Sequence, residues 1–133
     1  LVILFTTVIF LDWDFKQKGA ETFLDESSWT KEREISYRNQ GSAYFINFTA
    51  AWCITCQVNE RVALTERTLK EFDKRNIKYF KADWTNRSDE IFQELKKYGR
   101  SGVPVYVFWN KNLDQPIILN EVLTEKYVME VTK

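Results

Sequence analysis

The strongest chemical signal in this sequence is a pair of thiols. Cys53 and Cys56 are its only cysteines, and they stand three apart in Cys53-Ile54-Thr55-Cys56. At the start of a helix, two thiols at that spacing can close a small disulfide ring. The helix dipole and its free N–H groups then stabilise a thiolate on the first sulfur. In that arrangement Cys53 is the exposed nucleophile. Cys56, one turn further in, is more buried and resolves a mixed disulfide. Two other readings share the spacing: a pair of inert buried thiols, and half of a metal site made between two chains. A strand before the pair, a helix after it and the lack of further ligands favour redox chemistry.

Other residues gain meaning from their distance to this pair. Trp52 precedes the first sulfur and either forms an apolar rim over the thiolate or packs at a strand–helix junction. Glu60 lies four residues past Cys56 and seven past Cys53, on the same helix face. A carboxylate there can accept the Cys56 proton and raise the thiol pKa values; the alternative is a solvated surface residue. Pro104 follows Gly102-Val103 at the mouth of a strand, where a residue that cannot donate to a ladder shapes a turn. Spacing alone favours a trans bond before it. Asp83, at the end of another strand, reads as a loop cap rather than as an acid at the rim of the site.

Composition removes competing chemistries. The chain has no histidine, which excludes Ser-His and Cys-His nucleophiles and histidine metal sites. Two cysteines cannot form a four-cysteine zinc or iron–sulfur site within one chain. Lys plus Arg number 19 and Asp plus Glu number 19, so the balance predicts no nucleic-acid partner and no polybasic membrane patch. With 133 residues, 44% of them apolar, one ordinary globular domain is expected.

The elements that must position the thiols can be read along the chain. Leu1 to Leu11 is almost wholly apolar yet shorter than the roughly 20 residues that span a bilayer. It reads as the end of a transmembrane helix begun upstream, as a buried or edge strand, or as part of a signal peptide lacking the usual flanks. The first residue is Leu, so the chain reads as a piece of a longer product. Residues 12 to 27 read as a linker and 28 to 133 as the domain. A helix is expected from about Ser28 to Asn39, capped by Ser28 or Thr30, with Gly41 beyond its end. Ala43 to Phe48 reads as a buried strand, and the helix opening at the cysteines follows directly. Further expectations are a helix over Glu66 to Lys74, a strand over Ile77 to Trp84 and a helix capped by Asn86 or Ser88. A strand over Val105 to Trp109, a partner strand over Ile117 to Leu119 and a helix from Thr124 to about Val131 complete the chain. This order predicts an α/β domain with a central mixed sheet flanked by helices.

The segments FINF, TAAWCITC and Val103-Pro104 before a strand resemble the thioredoxin superfamily. FTAAWCITCQVNE, KADWT and YGRSGVPVYVFW are more specific. They resemble the C-terminal periplasmic domain of the DsbD thiol:disulfide interchange proteins and their ScsB-like relatives. The resemblance covers about residues 28 to 133. It implies a thioredoxin-like fold and a thiol:disulfide oxidoreductase acting as a protein-disulfide reductase. The resemblance implies that the membrane electron-transfer domain of the same parent protein supplies the electrons. It likewise implies that a periplasmic thioredoxin-like or N-terminal acceptor domain, serving cytochrome c maturation and disulfide isomerisation, receives them. It further implies the bacterial inner membrane with this domain facing the periplasm, and an isolated domain that is monomeric. No cofactor beyond the Cys53–Cys56 disulfide and no metal are implied.

Residue by residue, Cys53 resembles the attacking cysteine, Cys56 the resolving one, and Pro104 a cis-proline that faces the disulfide. The Pro104 loop, with Val103, would leave backbone groups for an extended partner segment, and Trp52 would join it in substrate docking. Glu60 matches an acid that tunes the pair. Asn47 departs from the pattern, since the family places a buried Asp six residues before the first cysteine. Ile54-Thr55 brings no cation between the thiols, which favours a reductant over a strong oxidant. The alternatives that remain are a redox-idle binding module on this fold and a thiolate metal carrier.

Overall fold

The computed structural model describes residues 26–133. The readings of Leu1 to Leu11, and of the linker as far as residue 25, lie outside the described residues. Strand β1, Tyr44–Thr49, is buried at every position, which explains its nearly continuous apolar sequence. It pairs in parallel with β2, Lys78–Asp83, and antiparallel with β3, Val105–Trp109. The short β4, Ile117–Ile118, extends the sheet from β3 and gives the order β2-β1-β3-β4.

Helices cover both faces because alternate residues of β1 point to opposite sides. Tyr44, Ile46 and Phe48 join Phe80, Val107 and Trp109 in one core. Ile91 and Leu95 of the helix Asp89–Lys97 complete that layer. Phe45 packs with Tyr106 and Phe108, and with Phe72 of the helix Glu66–Lys74 and Val128 of the helix Glu125–Val131. In chain order the helices are α1 Lys31–Asn39, α2 Ile54–Val62, α3 Glu66–Lys74, α4 Asp89–Lys97 and α5 Glu125–Val131. The domain is therefore the expected α/β sandwich around a mixed four-stranded sheet.

Helix α1 begins later than its sequence suggests. Ser28 is used as a bridge to Lys81, and the Trp29 N–H donates to the Lys81 carbonyl, so Thr30 becomes the cap. The buried side chain of α1 is a carboxylate, Glu34. Trp29 Nε1 donates to it at 2.9 Å, Lys31 stands 3.5 Å away, and the Tyr44 hydroxyl donates from 3.4 Å. A buried charge is tolerable when it is hydrogen-bonded and paired in this way.

Helix α2 carries the thiols and is pinned at its middle by Asn59. This buried amide donates to the Tyr106 hydroxyl at 2.8 Å and to the Glu121 carbonyl at 2.6 Å, and accepts from Leu123 N–H at 3.1 Å. All three bonds reach across the fold, fixing the helix against β3 and the segment before α5. Asn59→Ala should destabilise the domain by about 2–4 kcal/mol, because it strands buried polar partners. Urea unfolding followed by tryptophan fluorescence measures the loss.

Candidate active site

The end of β1 hands the chain to α2 through Ala50-Ala51-Trp52-Cys53. Cys53 N–H donates to the Ala50 carbonyl at 3.2 Å, and the Gln57 side chain donates to the same carbonyl at 3.1 Å. Cys53 takes an extended conformation and serves as the N-cap of α2, with its Sγ accepting from Cys56 N–H at 3.2 Å. It occupies the place where Ser, Thr or Asp usually accepts a free helical N–H. The two sulfurs form a disulfide between Cα atoms 5.2 Å apart. Cys56 is fully buried and Cys53 keeps only 8% exposure, so Cys53 is the more accessible of the two but not the exposed thiol that the spacing suggested, because Ala50 and Val103 pack against it.

The Val103–Pro104 bond is cis, the isomer implied by the resemblance rather than by spacing. Val103 packs against Ala50, Cys53 and Cys56, so the Pro104 loop borders the disulfide. On the accessible side, Trp52 is 46% exposed and Ile54 81%. They give the sulfurs an apolar, solvent-facing rim.

Asn47 lies on the face of β1 turned toward α2. It is wholly buried, and its Nδ2 donates to Glu60 Oε1 at 3.0 Å and to the Tyr79 hydroxyl at 2.9 Å. Its Oδ1 has no partner among the described residues. Glu60 is therefore not a freely solvated residue. Its carboxylate is held by Asn47 and faces Lys81 Nζ at 3.5 Å. Lys81 lies directly opposite Asn47 in the parallel pairing of β1 and β2. Burial pushes the Tyr79 hydroxyl up to about 12 despite the Asn47 hydrogen bond, which keeps it neutral at physiological pH. Glu60 is the sole carboxylate in this group, and a lysine compensates its charge.

Asp83 caps its loop, taking both the N–H and the hydroxyl of Thr85 on one carboxylate oxygen. Thr85 in turn ties the β2–α4 loop to the cysteine turn. Its hydroxyl accepts from Ala51 N–H at 2.9 Å, and its carbonyl accepts from Trp52 Nε1 at 3.1 Å. Sequence reading missed Thr85, Tyr79 and Lys81. The parallel pairing of the FINF and KYFKAD strands was the signal that could have placed Lys81 beside Asn47. Thr85 closes the KADWT segment, but nothing in that segment alone shows that its hydroxyl and carbonyl reach the cysteine turn.

The sequence matches the family model described as thioredoxin-like over residues 28–111. The chain belongs to the thioredoxin-like family. Its fold is shared with the oxidised DsbD C-terminal domain of Neisseria meningitidis, at 20% identity, a TM-score of 0.57, and coverage of 74% of this chain and 85% of that domain. Chloroplastic thioredoxin z aligns with a TM-score of 0.61 and 20% identity over 79% of this chain and 88% of its own. A DsbH oxidoreductase aligns with a TM-score of 0.56 and 20% identity over 78% of each chain. No curated protein sequence matches this chain. A thioredoxin-like fold with a Cys53–Cys56 disulfide is an arrangement for thiol–disulfide exchange. Among the described residues no group of three or more potential metal ligands occurs, and no helix is long and apolar enough to cross a membrane.

Two outcomes follow from this geometry. After reduction, iodoacetamide near neutral pH should alkylate Cys53 far faster than Cys56, read by mass spectrometry of the peptides. Asn47→Asp should set a second carboxyl against Glu60. Of two carboxyls in contact, one titrates well above the ordinary range in the fold and normally in the unfolded chain. The native state then holds the extra proton, so the variant's stability should fall as pH rises. Its urea midpoint should be lower at about pH 8 than at about pH 5, beyond any change in the parent domain.

Proposed function

We propose that this domain is a protein-disulfide reductase. It passes electrons by thiol–disulfide exchange from a membrane electron-transfer domain of its parent protein to periplasmic acceptor proteins. The observation that carries the reading is the placement of the two sulfurs. Cys53 caps a helix N-terminus, where N–H groups stabilise a thiolate, and Cys56 is buried directly behind it. In the reduced domain the Cys53 thiolate attacks a sulfur of the partner disulfide. One partner thiolate leaves and a mixed disulfide forms. Cys56 then loses its proton, attacks Cys53 Sγ and expels the second partner thiolate. The Cys53–Cys56 disulfide is restored, and two electrons have passed to the partner, whose two thiolates are protonated from solvent. A dithiol of the membrane electron-transfer domain reverses the sequence and reloads the pair.

Several features support the direction of transfer. No cation stands between the cysteines, so the thiolate lacks the added stabilisation that makes a strong oxidant. The Glu60 carboxylate, held by Asn47 and Lys81 one turn beyond Cys56, is the acid in line to take the Cys56 proton. The exposed Trp52 and Ile54 and the Val103–Pro104 loop flank the sulfur and suit an extended partner segment. The fold neighbour from Neisseria meningitidis is a DsbD C-terminal domain with both oxidised and reduced forms, and the motif FTAAWCITCQVNE resembles that family. This likeness supports a periplasmic location beside the inner membrane.

The test is dithiothreitol-driven reduction of insulin. The domain should accelerate it, and Cys53→Ser should return the rate to that of dithiothreitol alone. Cys56→Ser should instead accumulate mixed disulfides through Cys53, isolable from periplasmic extract on a non-reducing gel. No acceleration by the parent domain would overturn the reading.

A further inference from the structure

Beside the sulfurs, the loop joining β2 to α4 presents an arginine in an unusual setting. Arg87 adopts a positive φ of 53°, a conformation that costs a branched or long side chain energy and that glycine or asparagine usually occupies. The loop is locked around it. Arg87 N–H donates to the Trp84 carbonyl at 3.0 Å, and Trp84 Nε1 donates to the Ser88 carbonyl at 3.1 Å. The guanidinium lies 4.5 Å from the Trp52 ring centre and 5.4 Å from that of Trp84. The two indoles are themselves 6.0 Å apart and tilted by 57°, so they cradle the cation. The Arg87 side chain has no hydrogen bond or ion pair among the described residues, and the residue is exposed.

A cation–π contact takes up no N–H hydrogen bond, so the guanidinium N–H groups stay available. Their fork matches a carboxylate bidentately. The cradle holds the fork in one orientation, so little side-chain entropy remains to be lost on binding. Trp52 is the residue before Cys53, and Thr85 ties its indole to the same loop. A partner sulfur that reaches Cys53 therefore carries its flanking residues across Trp52 toward Arg87.

We propose that Arg87, seated on Trp52 and Trp84, is a specificity-determining residue that recognises a carboxylate on the redox partner, an Asp or Glu within a few residues of the partner's reacting cysteine. The inference rests on the reductase reading and adds the chemical class of segment the site prefers. A partner covering the indoles lowers the local dielectric, which strengthens both the cation–π contact and the new ion pair.

The test uses two disulfide-linked peptides that differ only in a Glu or a Gln beside the cysteine, with dithiothreitol as reductant. The readout is the ratio of their kcat/KM values, each corrected for dithiothreitol alone. The parent domain should favour the Glu peptide by roughly fivefold at low salt, and the ratio should fall toward one as salt is added. Arg87→Gln should bring it near one at all salt concentrations. Arg87→Lys should retain part of it, and Arg87→Glu should invert it. A ratio of one for the parent domain at low salt, or an undiminished ratio in Arg87→Gln, overturns the assignment while the reductase reading stands. If the parent domain reduces neither peptide, the reductase reading fails and the assignment falls with it.

Discussion

Everything at the site depends on one side chain serving two roles. Cys53 is a half of the disulfide and also the cap of α2, its sulfur taking the Cys56 N–H. A helix start leaves N–H groups without intrahelical partners, and an anion is the acceptor that satisfies them best. The same donors that stabilise the fold in the oxidised state are therefore in place to stabilise a thiolate after reduction. This requires β1 to end at a fixed point and the chain to turn within four residues. The wholly buried strand, Asn59 and the Ala50 carbonyl meet that requirement between them. Displacing the start of α2 by one residue would move the cap away from the sulfur and leave Cys56 on a different face.

The surroundings of the pair divide by polarity. Outward lie Trp52, Ile54 and the Val103–Pro104 loop, apolar and accessible. On the side of β1 facing α2 lie Asn47, Tyr79 and Glu60, linked by hydrogen bonds, with the exposed Lys81 pairing Glu60 from the rim. The outer set leaves apolar surface open beside the disulfide. In the inner set the one carboxylate is hydrogen-bonded by an amide and paired with a lysine. Asn47 in place of a carboxyl is consistent with this balance, since a second buried acid beside Glu60 would raise the cost of ionising either.

Much of the fold was legible because its signals are local. Helix α3 and strand β3 fall where capping residues and apolar runs placed them, Glu66–Lys74 and Val105–Trp109. Boundaries moved where distant pairing overrides local preference. Ser28 is drawn to Lys81 instead of capping α1, and β1 runs on to Thr49 because its carbonyl accepts from Trp84 N–H. The cysteine pair was legible from spacing, since nothing else in the chain competes for sulfur chemistry. The cis bond at Pro104 came from the family resemblance alone. The polar layer was only partly legible. Asn47 and Glu60 stood out by their distance from the cysteines, whereas Tyr79 and Lys81 joined them through strand register, which one sequence does not state.

The rim shows the same limit from the other side. Trp52 left packing and partner contact as open alternatives in the sequence, and the structure shows the packing while leaving part of the ring open. Its Nε1 is bonded to Thr85 and its ring lies against Trp84, yet nearly half of its surface remains open. That combination arises because the loop after β2 folds back over the cysteine turn, with Asp83 holding Thr85 and Arg87 in a left-handed conformation. The capping role of Asp83 was readable in the sequence, but the reach of Thr85 to the cysteine turn and the place of Arg87 were not, because both are defined by where two loops meet. Fixing the indole from below keeps its exposed face in one orientation beside Cys53. A rigid aromatic surface loses little entropy when a partner covers it. The loop thus fixes Trp52 and places the Arg87 charge against its ring.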